Sequence, residues 1–355
     1  MFILGSTFGK VMQDTGLSSS IAAFINSRIN CNPVLAVLII SLIMSYGGIS
    51  TFVIAFTIYP IASELFQRAK IDNNLMPAVI LFCPTTLAMT MLPGSPSVQN
   101  IIPTAYLNTN IYAAPIIGIV ASILTFSFGY RYLIFTAKIQ KPTVQQHMTH
   151  TARFAISDIF CLLPCIILWM TSFILIQMNI DSQTAVEISL ICGIVGAIIV
   201  GDVKSNITES LNIAVQNGLK TLIITSLIMG YGNLVKSMDS FVLLSETLYS
   251  MIDDEIISSI VAVNIIAALT GSSLTSLQML FDTFHDQIKM SEMPPENIHR
   301  ILAIASGGLD SMPYATGVVV ANDLAHTEQS QTYKHIFITC ALIPLLVLVL
   351  IFILL

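Results

Sequence analysis

Apolar segments from the first half of this chain recur in the second at a nearly constant offset, and both copies are interrupted at matching places. Phe8-Gly9-Lys10-Val11-Met12 is followed by the turn Gly47-Gly48-Ile49-Ser50. In the second half, Tyr231-Gly232-Asn233-Leu234-Val235 leads to Thr270-Gly271-Ser272-Ser273, and the interval from Gly232 to Gly271 equals that from Gly9 to Gly48. Each turn is followed, after a similar stretch, by a proline inside a short polar break: Leu92-Pro93-Gly94-Ser95-Pro96-Ser97 and Ser311-Met312-Pro313-Tyr314-Ala315-Thr316. Paired Gly/Pro interruptions of hydrophobic segments in two halves point to the substrate site of a secondary transporter.

Such interruptions matter because the chain has too little charge for a soluble surface. Charged residues are 10% of the sequence against 55% hydrophobic, and mean hydropathy is +0.83; soluble domains carry about 25% charged residues. Apolar runs at Ile111–Phe135, Phe154–Met178 and His335–Leu355 reach membrane length, on the order of 20 residues. The expected class is therefore an all-α polytopic membrane protein. A net charge of −6 says little about partners, because the placement of Lys and Arg sets topology. The densest basic stretch, Arg131, Lys138, Lys141 and Arg153, reads as a cytoplasmic loop between the halves. Nothing in the sequence suggests nucleic-acid binding.

The six cysteines, Cys31, Cys83, Cys161, Cys165, Cys192 and Cys340, lie mostly in apolar segments and lack clustered metal-ligand spacing. They read as buried thiols, and neither a metal nor a cofactor is expected.

Helices are expected at Val34–Ser45 and Thr51–Phe66, as one hairpin entering and leaving on one side. Leu75–Leu92 should run into the first proline break and Ile101–Leu107 leave it. The second half repeats the plan with Ile256–Leu269, Leu274–Ile288 and Ile298–Ala305. The whole reads as two inverted repeats with re-entrant helical hairpins and discontinuous helices. Residues 1–137 form the first repeat, 138–153 the connecting loop and 154–355 the second repeat. Phe154–Met178 and Thr184–Val200 have no counterpart ahead of Gly9. The first repeat is thus expected to be incomplete, its beginning lying about 70 residues before Met1 if the repeats are complete.

Non-helical backbone is tolerated at membrane depth only where it is buried or lines a cavity. A broken helix also exposes N–H groups and a positive dipole end, which make an anion site without a basic side chain. Gly47, Gly48, Ser50, Thr51, Thr270, Gly271, Ser272 and Ser273 at the turns permit close backbone approach. Gly94, Ser95, Ser97, Gln99, Asn100, Thr104, Ser306, Gly307, Gly308, Ser311 and Thr316 surround the proline breaks with neutral groups. This set suits one carboxylate with hydroxyls. A second carboxylate would call for basic side chains, and none is expected near the breaks. The plain structural alternative is that Gly and Pro only kink packed helices; four breaks in matching pairs weigh against it. Asp310, inside Ser306-Gly307-Gly308-Leu309-Asp310-Ser311, reads either as a proton or cation carrier or as a cap on free backbone N–H groups. Lys10 and Asp14 are one helical turn apart and should pair. Asp158 and Asp282 read as interfacial, and His326 as exposed.

Leu92-Pro93-Gly94-Ser95-Pro96-Ser97-Val98-Gln99-Asn100-Ile101-Ile102-Pro103-Thr104 resembles the signature stretch of the gluconate permease family. Ala305-Ser306-Gly307-Gly308-Leu309-Asp310-Ser311-Met312-Pro313 resembles its C-terminal counterpart, and Gly5 through Gly16 resembles the family's Gly-rich helix and Asp-x-Gly turn. The resemblance covers almost the whole chain apart from the helices that family members carry before Met1. It implies a multi-pass symporter of the bacterial inner membrane, carrying a sugar acid or short hydroxy acid with a proton. It further implies inverted repeats, an elevator mechanism and often a homodimer. Under it the hairpin tips are Gly47–Thr51 and Thr270–Ser273, and the unwound segments are Pro93–Asn100 and Ser306–Pro313. Two other transporter-derived readings stay open: sodium-coupled carboxylate transport, and an inactive remnant. An intramembrane protease finds no support, since Asp310 lacks a second carboxylate in a matching motif and Ser273 has no base at a supporting spacing.

Overall fold

The computed structural model describes residues 2–24, 32–46, 49–139, 160–178, 180, 182–201, 207–238, 243, 247 and 254–354. Among these the regular structure is helical. Gly47, Gly48, Cys31, Asp158 and all but the first two residues of the expected 138–153 loop lie outside the described set.

The chain forms two compact units, and each takes segments from both halves of the sequence. Unit 1 contains α1 (Phe2–Asp14), α2 (Leu17–Phe24), α3 (Pro33–Tyr46), α4 (Thr51–Ala69), α8 (Leu163–Gln177) and α9 (Ser182–Val200). In it α3 packs on α4, α1 packs on α4 and α9, and α8 packs on α9. Ser50 starts α4 by accepting the Val53 N–H at 3.5 Å, the hydroxyl standing in for the carbonyl that the first helical turn lacks. Lys10 and Asp14 pair at 2.8 Å along α1, and His326 is exposed with its ring edge-on to Tyr59.

Helix α5 (Asn73–Met91) begins in unit 1 and ends in unit 2 as a π-helix, Cys83–Met91. Unit 2 continues with α6 (Val98–Leu107) and most of α7 (Pro115–Ile139). The long α10 (Ile207–Lys236) is divided between the units and includes much of the polar stretch that precedes Gly232. Unit 2 resumes with α11 (Glu255–Thr270), α12 (Ser273–Ile288) and α13 (Pro295–Ser306). Then follow α14 (Thr316–Ala325), which returns to unit 1, and α15 (Gln329–Leu354).

Among the described residues, α5, α7 and α15 are long and apolar enough to cross a membrane. Exposed Ile116, Ile119, Val120, Ile123 and Phe128 on α7 give it an apolar outer face. With the composition, these helices mark a membrane protein. Of the expected run Phe154–Met178, the described part includes an apolar helix over Phe160–Leu175, and residues 154–159 lie outside the described set.

The hairpin of α11 and α12 shows how these turns are made. Asp254 caps α11 by accepting from the Ile256 and Ile257 N–H groups at 2.9 and 2.8 Å. Gly271 ends it with φ +63°, a left-handed conformation that costs a residue with Cβ but not glycine. Ser272 then caps α12, its hydroxyl accepting the Thr275 N–H at 3.2 Å. The turn is only Gly271 and Ser272, because Thr270 and Ser273 already belong to the two helices.

Candidate functional site

Two helix breaks of unit 2 converge on the tip of the α11–α12 hairpin. The first break covers Leu92–Ser97, between α5 and α6. It is shorter than Pro93–Asn100, because Val98, Gln99 and Asn100 form the first turn of α6. The π-helix before it widens the turn, and Leu92 N–H reaches the Leu87 carbonyl at 2.8 Å. Three buried threonines, Thr85, Thr86 and Thr90, donate back to carbonyls one turn earlier. The second break covers Gly307–Ala315, between α13 and α14; Ser306 ends the preceding helix. A Cβ at Gly308 would lie 2.3 Å from Asn264 Oδ1 and 2.5 Å from Leu345 Cδ2, so the glycine lets this backbone lie close against α11 and α15, and a larger residue would displace those side chains.

Polar side chains hold the first break closed upon a neighbouring loop. The Ile111 carbonyl accepts from Gly94 N–H at 2.9 Å and from Asn100 Nδ2 at 2.9 Å. Asn100 Nδ2 also donates to the Ser95 carbonyl at 2.8 Å. Ser97 donates to the Met89 carbonyl at 2.6 Å. From α13, Arg300 donates through Nε (3.1 Å) and Nη2 (2.9 Å) to the Ala113 carbonyl, and through Nη2 to Ile111 at 3.3 Å. His299 joins the same cluster, with Nε2 3.2 Å from Asn100 Oδ1 and Nδ1 2.7 Å from Thr109 Oγ1. His299 and Arg300 are fully buried. Hydrogen-bonded carbonyls repay part of the cost of burying the guanidinium.

The expectation that no basic side chain lies near the breaks is therefore corrected. Arg300 lies on the helix that ends at Ser306 and leads into the second break, yet its side chain serves the first. Its signal in the sequence was a His-Arg pair within an otherwise apolar helix that leads into a break.

The second break carries the acid. Asp310 is 8% exposed and accepts from the Ser311 hydroxyl at 3.0 Å. The Ser273 hydroxyl is a further hydrogen-bonding neighbour of the carboxylate. Gln99 Nε2 donates in turn to Ser273 Oγ at 3.1 Å. Gln99, from the first turn of α6 just after the first break, Ser273, the first residue of α12 beside the hairpin turn, and Asp310 with Ser311, from the second break, thus form one buried array. Asp310 thus lies at the end of a chain of side-chain donors.

Other expected residues are placed differently. Asn100 is engaged on backbone carbonyls, Ser95 is buried within its own break, and Thr270 donates to the Ile266 carbonyl at 2.8 Å. Gly307 packs against Thr90. Ser50 and Thr51 belong to unit 1, whereas the array belongs to unit 2.

An uncharacterized transporter of Bacillus subtilis (strain 168), YxjC, is 27% identical over 385 aligned positions. The alignment covers 95% of this chain and 82% of that protein. No family model matches the chain.

Proposed function

We propose that the chain is a multi-pass secondary transporter of the bacterial cytoplasmic membrane. It carries a small hydroxy monocarboxylate or sugar acid, of the gluconate or 3-hydroxybutyrate kind, together with a proton. The observation that carries this reading is the Gln99–Ser273–Asp310–Ser311 array, which joins a hairpin tip to both helix breaks around one buried acid. A buried carboxylate among apolar helices is costly unless it has work to do, and proton carriage is such work. The similarity to a protein named a transporter, over nearly the whole chain, supports the same class. So does the resemblance of both break sequences to the gluconate permeases.

In this mechanism the substrate carboxylate docks on backbone N–H groups at the α11–α12 hairpin tip and its hydroxyls meet Ser97, Ser273 and Ser311. The Asn100 amide, tied to carbonyls, keeps the first break in shape. Protonation of Asp310 neutralises the loaded unit so that it can cross the membrane, in a homodimer working by an elevator movement. The preference for one carboxylate rests on the neutral character of the array, with Arg300 engaged on the loop at Ile111 and Ala113.

Uptake of labelled D-gluconate and 3-hydroxybutyrate into proteoliposomes, under an imposed inward proton gradient, tests the reading. Uncoupler-sensitive accumulation of either acid is expected. Accumulation driven only by a sodium gradient would replace proton with sodium coupling. Folded protein that moves neither acid under either gradient would overturn the assignment.

A further inference from the structure

The α11–α12 hairpin is tied to the second break twice, on a buried side and on an exposed one. On the buried side Ser273 hydrogen-bonds with Asp310. On the exposed side the Tyr314 hydroxyl donates to the Ala268 carbonyl, in the last turn of α11. In sequence the two ties bracket residues 269–272 of the hairpin and 311–313 of the break. Along that break Asp310 and Ser311 are buried, Met312 is half-buried, and Pro313 and Tyr314 are exposed. The chain thus leaves the interior within three residues of the acid, and Tyr314 stands at the edge.

Local structure holds Tyr314 in this place. Met312, Pro313, Tyr314 and Ala315 form a turn closed by Ala315 N–H on the Met312 carbonyl at 2.8 Å. Proline takes the second position, where its fixed φ suits a turn. From α15 the Gln329 amide donates to the Pro313 carbonyl, and the Tyr333 hydroxyl lies 3.7 Å from Met312 Sδ. The turn is therefore braced from one side while Tyr314 reaches the hairpin. There the last carbonyls of α11 lack helical donors, as at any helix end. Gly271 N–H takes the Ala267 carbonyl at 2.8 Å, and Tyr314 takes the next one. The tip glycine also lies against the same turn: a Cβ on Gly271 would be 3.2 Å from Ala315 Cα and 3.5 Å from Tyr314 Cδ2.

We propose that Tyr314 is a positioning residue of the transport site: its hydroxyl latches the α11–α12 tip onto the second break, and release of that latch opens the way to Ser273 and Asp310. The substrate acid enters when Tyr314 lets go of Ala268, and the phenol rejoins the carbonyl once the acid is seated. One neutral hydrogen bond shifts such an equilibrium by about fivefold, enough to favour the closed tip without locking it. What enters is named by the transporter reading, on which this inference rests; the opening itself is measured without substrate.

Two native thiols serve the test. Cys340 of α15 is fully buried and neighbours both Asp310 and Thr85, whereas Cys161 is buried in unit 1. The full chain in proteoliposomes is treated with N-ethylmaleimide, and modification of each cysteine is followed over time by peptide mass spectrometry. Tyr314→Phe removes the hydroxyl and keeps the ring. Cys340 should then react about fivefold faster, the effect of one neutral hydrogen bond, while the Cys161 rate stays the same. Tyr314→Ala, which also takes the ring off Gly271, should give at least that rise. An unchanged Cys340 rate in Tyr314→Phe would overturn the latch. Equal rises at Cys340 and Cys161 would overturn it as well, because they report loosening of the whole protein. Neither rate depends on a transported acid, so an uptake assay without signal would count against the transporter reading alone.

Discussion

The two helix breaks of unit 2 face the same difficulty, backbone groups without helical partners in an apolar surrounding, and meet it with opposite chemistry. At Leu92–Ser97 the break is tied down by donors that reach carbonyls: Gly94 N–H and the Asn100 amide bind Ile111 in the neighbouring loop, Asn100 also binds Ser95, and the Arg300 guanidinium holds that same loop. At Gly307–Ala315 the chain brings in an acceptor, Asp310, and surrounds it with hydroxyls from Ser273 and Ser311. Matching breaks in sequence thus become a clamp and a site. A donor network tied to backbone loses its partners if it lets go, so it resists movement. A carboxylate held by hydroxyls can take a proton and keep its neighbours, because hydroxyls both donate and accept. The first break is therefore expected to govern stability and the second to govern coupling.

Asp310→Asn is the sharpest way to break that contrast. The asparagine oxygen still accepts from Ser273 and Ser311, so the fold should survive with little change in the midpoint of thermal unfolding. What goes is the exchangeable proton. Under a gradient of about one pH unit, symport with one proton supports about tenfold accumulation, equivalent to about 1.4 kcal/mol. That accumulation should be lost while substrate exchange across the membrane persists. Measuring net accumulation and counterflow in the same proteoliposomes decides it. Unchanged accumulation would make Asp310 a backbone cap and nothing more.

Arg300→Lys asks the same of the clamp. The charge stays, but the planar fork that reaches Ala113 and Ile111 is gone, and an ammonium does not reproduce it. The Ile111 carbonyl keeps Gly94 N–H and Asn100, whereas the Ala113 carbonyl loses both its Arg300 bonds. An unsatisfied buried acceptor costs about 1–3 kcal/mol, so the unfolding midpoint in detergent should fall clearly. The KM of the protein that remains folded should stay near the wild-type value. A normal midpoint with a KM raised about tenfold would instead place Arg300 in contact with substrate, and the clamp-and-site contrast would fail.

How much of this was legible beforehand depended on whether a feature is local in sequence. Periodicity and Gly/Pro punctuation located the α3–α4 and α11–α12 hairpins and both proline breaks to within a few residues, because helix starts and stops are written in their own turns. Asp310 stood out as an acid in an apolar stretch. Arg300 and His299 did not, since their partners, Asn100, Thr109, Ile111 and Ala113, come from the other half of the chain. The boundaries were off by a few residues: Asn100, Thr270, Ser273 and Ser306 read as hairpin tip or unwound segment but sit in helical ends, while the second break runs on past Pro313 to Ala315. Small polar residues are favourable at helix ends as well as in turns, and composition alone does not separate the two. The compact units were illegible for a related reason, since each is assembled from both halves of the chain.

The smallest expected effect lies where clamp and site touch, at Gln99. Its amide nitrogen donates to Ser273 Oγ at 3.1 Å, and Ser273 donates to Asp310. In Gln99→Leu the Ser273 hydroxyl loses one donor but keeps its own bond to the acid, and the volume is nearly conserved. A single neutral hydrogen bond contributes about 1 kcal/mol, which corresponds to a change of about fivefold. That change should fall on KM for the substrate acid, because the serine at the hairpin tip is less firmly oriented. Accumulation at saturating substrate should be untouched, since Asp310, the proposed proton carrier, is unchanged. Uptake kinetics at several substrate concentrations separate the two quantities. A fall in accumulation with KM unchanged would show that Gln99 acts on the acid through Ser273, which would extend the coupling site into the first break.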